Sequence, residues 1–194
     1  EAYERHEPGA LRAGLAERIY SYADVPYRID GFEAIVADPR DTITFERDRH
    51  EALLEAANRW GADGRLIRED DGEVRLVTLA EKLLVPLLVK LTNLVPGSGI
   101  WLDTQRPEWN DANNALVGNG LSMVTLFHLR RYLFHLRSLV AEHRREVSVS
   151  AEVVTWFDAV SEALAGEPVG DGPESDRRRR ELMDRLGRAG SAHR

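Results

Sequence analysis

The spacing of apolar residues divides the chain into segments of different character. Leu11, Leu15, Ile19 and Tyr22 recur at intervals of three and four, which lays them on one face and predicts a helix over residues 8–23. The stretch "VPYRIDGFEAIVADPRDT" is broken by Pro26, Gly31 and Pro39, so it predicts a loop with at most one short helix. A second helix is expected over 46–60, with Leu53, Leu54 and Ala57 inward and Gly61 as its stop. "GADGRLIREDDGEVRLV" then reads as a turn or small hairpin that bends at Gly64 and Gly72.

Residues 78–93 carry a different signal. Thr78 followed by Glu81 is a capping box, in which side chain and backbone satisfy each other at a helix start. Leucines and valines then cover nearly the whole circumference, and a helix apolar all round is expected to be buried all round. Pro86 removes one backbone donor from its middle. The longest helix is expected over 121–145, with Leu126, Leu129, Leu133, Leu136 and Val140 as its inner stripe. Ser150 can cap a further helix with Val153, Trp156, Phe157, Val160 and Leu164 inward, ending near Gly166. The pattern therefore predicts a mainly α protein, a helical bundle with long loops. Residues 1–165 form its helical domain; 166–194 follow as a linker and a charged C-terminal helix or tail anchored by Leu182, Met183 and Leu186.

Composition narrows the chemistry. With 43% apolar and 30% charged residues, the chain has the balance of a globular protein. A net charge of −7 argues against a nucleic-acid partner, which needs a concentrated positive field. The basic run 177–180 is largely cancelled by Glu174, Asp176, Glu181 and Asp184, and reads as a solvated helix face. The absence of cysteine removes disulfides, thiolate metal sites and cysteine nucleophiles. No apolar run reaches the roughly 18 to 20 residues that span a bilayer, so no membrane partner is expected. A cytoplasmic location is the expectation, although an N-terminus that opens at Glu1 does not decide it. His128 and His135 lie two turns apart with no third ligand placed beside them, and "DDGE" at 70–73 reads as a solvated turn, so neither metal nor cofactor is expected.

One loop concentrates the remaining chemistry. "RPEWNDANNALVGNG", residues 106–120, sets Trp109 between Glu108 and Asp111 and adds Asn110, Asn113, Asn114 and Asn119. Together with Trp101, Asp103 and Gln105 this is an inventory suited to sugars. Hydroxyl-rich ligands need many donors and acceptors, and the C–H face of a sugar ring packs on an aromatic plane. Glycosidic cleavage needs a carboxyl group to protonate the leaving oxygen, and Asp103, Glu108 and Asp111 compete for that role. The alternative is local: Asp, Asn and Gly also satisfy free backbone N–H groups at helix starts, and Asn119 or Ser122 can cap the long helix.

The segment "EWNDANNALVG", residues 108–118, resembles the "DWND" loop of the cellobiose-phosphorylase-type glycoside enzymes, and is more distantly similar to loops of debranching-type glucosidases. That resemblance implies an (α/α)6 six-hairpin toroid with its site at one end of the barrel. By position it implies Trp109 as sugar platform and Asp111 as general acid, with Glu108 standing where the family has Asp and Ala112 where it has Gly. Inverting cleavage of an oligosaccharide substrate, by water or by phosphate, would follow. The second carboxylate stays open among Glu108, Asp103 and a residue outside this chain. A full toroid needs well over about 300 residues, so the resemblance further implies missing segments or a partner chain to complete the barrel. The rival expectation is a non-catalytic helical scaffold whose Trp/Asn-rich loop binds a partner protein.

Overall fold

In the computed structural model, which describes residues 2–104, 115–143, 145–166, 170 and 172–193, the core is laid against the apolar helix that follows Thr78. The described residues are mainly helical: α1 (Ala2–His6), α2 (Ala10–Gly14), α3 (Phe32–Ala37), α4 (Arg47–Trp60), α5 (Leu79–Leu91), α6 (Met123–Glu142), α7 (Ala151–Leu164) and α8 (Pro173–Ser191). Six short strands pair antiparallel in three ribbons. They are β1 (Arg18–Tyr20) with β4 (Val77–Thr78), β2 (Tyr27–Ile29) with β3 (Ile43–Phe45), and β5 (Ile100–Trp101) with β6 (Leu121–Ser122).

Two neighbouring leucines of α5 explain how the helices gather. Leu88 faces Trp156, Val160 and Ala163 of α7 and Leu186 of α8. Leu87 faces Ile100 of β5 and Leu129 and Leu136 of α6. Each side chain removed from water in this way contributes roughly 2 kcal/mol, so α5 joins two apolar clusters that would otherwise be separate.

The start of α5 departs from a closed capping box in an informative way. Thr78 Oγ1 accepts from the Glu81 N–H (3.3 Å), as the box requires. The Glu81 carboxylate does not return to Thr78; its Oε2 accepts from the backbone N–H (2.8 Å) and hydroxyl (2.6 Å) of Ser150. Thr78 in turn donates to Ser148 O (2.8 Å). One buried carboxylate thus fastens the entrance of α5 to the entrance of α7. Tyr22 lies beside it. Burial, and then the Glu81 charge, push the Tyr22 hydroxyl above its ordinary range, while Lys82 sits 4.0 Å over its ring.

Several expectations need correcting. The predicted first helix ends at Gly14, because 18–20 pair with 77–78; Leu15 is fully buried but Ile19 is exposed. Residues 27–29, expected as loop, form a strand that pairs with 43–45, both too short to register as a period-two pattern. Leu54 of α4 points outward. The helix α5 is not buried all round: Pro86, Val89 and Lys90 are exposed along one side. The inner stripe of α6 is Leu129, Leu136 and Leu139 with Leu126 and Tyr132 packed alongside, while Leu133 and Val140 are exposed. In α7, Phe157 and Leu164 are exposed and Ala163 takes the inner position.

The charged C-terminal stretch carries core. Leu186 of α8 is fully buried, and Leu182 and Ala189 pack on the same cluster. Gly187 permits α3 to approach, since a Cβ there would stand 2.1 Å from the Phe32 ring, and the Phe32 N–H donates to Ser191 Oγ (2.5 Å). No helix among the described residues is long and apolar enough to cross a membrane.

Candidate functional site

The chain leaving α5 builds the frame of the candidate site. Leu94 bridges back to Ile100, and the Val95 N–H donates to Gly99 O (2.9 Å), which turns the chain tightly into β5. The Trp101 N–H donates to Asn93 O (2.8 Å) and the Leu102 N–H to Gly120 O (3.0 Å). Ile100 and Trp101 pair with Ser122 and Leu121. The Gly118 N–H donates to Leu102 O (2.7 Å), which ties together the described residues on either side of 105–114.

Gly118 is required at this junction. Its φ is +78°, in the region that favours glycine, and a Cβ there would stand 2.1 Å from Pro39. Its carbonyl accepts from the Trp101 indole N–H (3.1 Å), which fixes the ring against the junction. Buried Val117 and Ile100 hold the two sides of the frame in the core.

Asp103 lies on this frame and is 8% exposed. Its Oδ1 accepts from Asn93 Nδ2 at 2.7 Å, a bond strengthened by the acceptor's charge. Burying a carboxylate without such partners would cost several kcal/mol, and the amide of Asn93 offsets part of that cost. Trp101, Asp103, Asn93, Thr104 and Ser122 line a cleft of about 1170 Å³. Asp24 before β2, Tyr27 and Arg28 of β2, Glu46 after β3 and Arg49 of α4 line the same cleft.

Of the residues singled out from sequence, Trp101 and Asp103 therefore share one frame and one cleft. Gln105, Glu108, Trp109, Asn110, Asp111, Asn113 and Asn114 lie outside the described residues. The capping alternative is partly resolved. Ser122 is the N-cap of α6: its Oγ accepts from the Thr125 N–H (3.1 Å) and shares a hydrogen with Thr125 Oγ1 (2.8 Å). The long helix thus draws its cap from outside the Glu108–Asn114 cluster of polar side chains.

Three contributors were not picked out in the sequence. Asn93 read as the last residue of an apolar helix, whereas α5 ends at Leu91 and Asn93 serves the frame. Tyr27 and Arg49 come from segments distant in sequence, and only the tertiary fold brings them to the cleft. No protein-family model matches this chain, and no curated protein matches it either.

Proposed function

We propose that the chain is a carbohydrate-active enzyme, or the segment of one that carries its acid loop, and that it cleaves glycosidic bonds with inversion. The observation that carries this reading is the frame. A half-buried Trp101 and an amide-bound Asp103 stand beside a large cleft, and the segment that follows them in the chain holds Glu108, Trp109 and Asp111. Trp101 and Trp109 offer planes for sugar C–H faces, and Asp103 with Asn93 offers acceptors and a donor for ring hydroxyls. Asp111 protonates the leaving oxygen while water, its proton taken by a second carboxylate, or phosphate attacks the opposite face. The (α/α)6 arrangement belongs to the same proposal, with further helices, from missing segments or a partner chain, closing the barrel around the cleft.

A screen of cello-, malto-, xylo- and manno-oligosaccharides, with and without phosphate, tests the activity. The expected result is release of a sugar of inverted anomeric configuration, read by proton NMR before mutarotation. Failure of every oligosaccharide to bind or be cleaved overturns the proposal. One observation favours the second reading, a helical interaction module. The face of α6 that bears Val124, Phe127 and Phe134 is exposed, at 67%, 61% and 55%, and apolar faces of that kind mark contact surfaces. Under the enzymatic reading the same face is where the remaining helices pack.

A further inference from the structure

The Tyr27 part of the cleft lining points to a second subsite. We infer that Tyr27, with the ion-pair chain beside it, binds a sugar unit additional to the one on the Trp101–Asp103 frame, so that the ligand is a neutral oligosaccharide rather than a monosaccharide. The inference rests on the carbohydrate reading and adds to it a length requirement and a set of residues.

Three observations carry it. Tyr27 is 56% exposed and lines the cleft, and its ring is tilted against Phe45 with centroids 5.4 Å apart. Phe45 in turn contacts the His50 ring at 5.4 Å, so the exposed tyrosine is backed by a small aromatic group rather than left loose. An aromatic plane held in place and open on one side is what the apolar face of a sugar packs against.

Beside it runs a chain of alternating charge. Arg49 donates from Nε to Asp24 Oδ1 (2.7 Å) and faces Glu46 at 3.8 Å; Arg28 faces Glu46 at 3.7 Å and Asp30 at 3.3 Å. Each side chain is oriented by its neighbour, which lowers the cost of ordering it around a ligand. Such planar, paired groups retain further donors and acceptors for hydroxyls.

The charge balance selects the ligand. Among the described residues, the cleft is lined by three acids (Asp24, Glu46, Asp103) and three bases (Arg28, Arg49, Lys90). Among these side chains neither sign is in excess, and together they offer many hydrogen-bonding groups to a neutral polyol. The volume of about 1170 Å³ exceeds that of pockets that enclose a drug-sized molecule, so there is room for several linked rings. Tyr27 and Trp101 line this cleft from segments far apart in sequence, and the proposal seats one sugar unit at each.

The test is calorimetric titration of the whole chain with glucose, mannose and xylose, and with the cello-, malto-, xylo- and manno-series from disaccharide to pentasaccharide. Affinity is expected to rise with length in the series that binds. Tyr27→Ala should weaken the longest member about tenfold and leave the shortest binder unchanged, with Tyr27→Phe restoring the affinity. Raising the salt concentration should leave the wild-type affinity unchanged. The melting temperature of each variant identifies a loss that comes from unfolding, and Tyr27→Phe keeps the ring that packs on Phe45. Affinity independent of length, equal weakening of all lengths by Tyr27→Ala, no weakening at all, or a steep loss with salt overturns the subsite while leaving the carbohydrate reading intact. If the wild-type chain binds no sugar of any length, both fall together.

Discussion

Two buried carboxylates of this protein are put to different uses. Glu81 is 2% exposed and Asp103 is 8% exposed, and each accepts short hydrogen bonds from side chains or backbone. Glu81 spends both bonds on Ser150, between two helix entrances and away from the large cleft. Asp103 accepts a hydrogen bond from the Asn93 amide and lines the cleft. Burial and hydrogen bonding alone therefore do not mark a functional carboxylate. What separates the two is whether the group also meets open space where a ligand fits. Glu81 ties two helix entrances together, whereas Asp103 borders the cleft.

The comparison breaks first at Glu81. Glu81→Ala leaves the Ser150 N–H and hydroxyl without their charged acceptor, and should cost about 3 kcal/mol of stability in urea unfolding. Sugar affinity of the folded fraction should be unchanged. A stable Glu81→Ala variant that loses sugar binding would reverse the two roles. Asp103→Ala should show the opposite pattern: at least about a tenfold loss of oligosaccharide affinity, equivalent to about 1.4 kcal/mol of binding, with a smaller loss of stability.

A smaller effect is expected at Ser122. Loss of its cap on α6 through Ser122→Ala should lower stability by about 1 kcal/mol with no selective loss of sugar binding, as measured by melting and titration together. If the change is silent in melting, another side chain caps the helix and the loop regains a structural role.

The smallest effect is in pH. Burial, and for Tyr22 also Glu81, raise the Tyr22 and Tyr132 hydroxyls above the ordinary tyrosine value. Tyr132 also donates to Leu83 O (2.6 Å), a bond that phenolate formation would lose. Above about pH 10 the unfolded chain releases protons that the folded state retains. Stability from these groups is thus fully present below that pH and declines above it. Tyr132→Phe should flatten the decline in a melting series between neutral and strongly alkaline pH.

Much of the helical skeleton was legible in the sequence. The start at Thr78, the span of α4 and the stop before Gly61 follow from local chemistry that acts within one or two turns; Ser150 does precede α7, but its hydroxyl goes to Glu81 instead of capping the helix. The bend at Gly72 is of the same kind. What was not legible depends on contacts between distant segments. Strands of two or three residues, such as Tyr27–Ile29, exist because a partner strand is present, and no local period announces them. The inward face of α6 turned out shifted from Leu133 and Val140 toward Leu139, because apolar residues occur on more than one side of that helix and only the neighbours decide which side is covered. The Glu81–Ser150 link spans 69 residues, so the motif indicated a cap but not the helix that would receive the carboxylate. In the candidate site, Trp101 and Asp103 were visible as neighbours of a polar loop. Asn93, Tyr27 and Arg49 were not, since nothing in their own segments points to a cleft formed by three parts of the chain.

The central proposal is that the segment 105–114 performs acid chemistry on a sugar, and Asp111→Asn tests it most directly. Melting temperature and oligosaccharide turnover are measured on the same preparation. The account predicts turnover lower by about 100-fold or more with melting nearly unchanged, because the amide keeps the shape of the carboxyl group but cannot deliver its proton. A variant that is destabilised by about 1 kcal/mol, as for a lost cap, yet keeps activity in proportion to its folded fraction would contradict it.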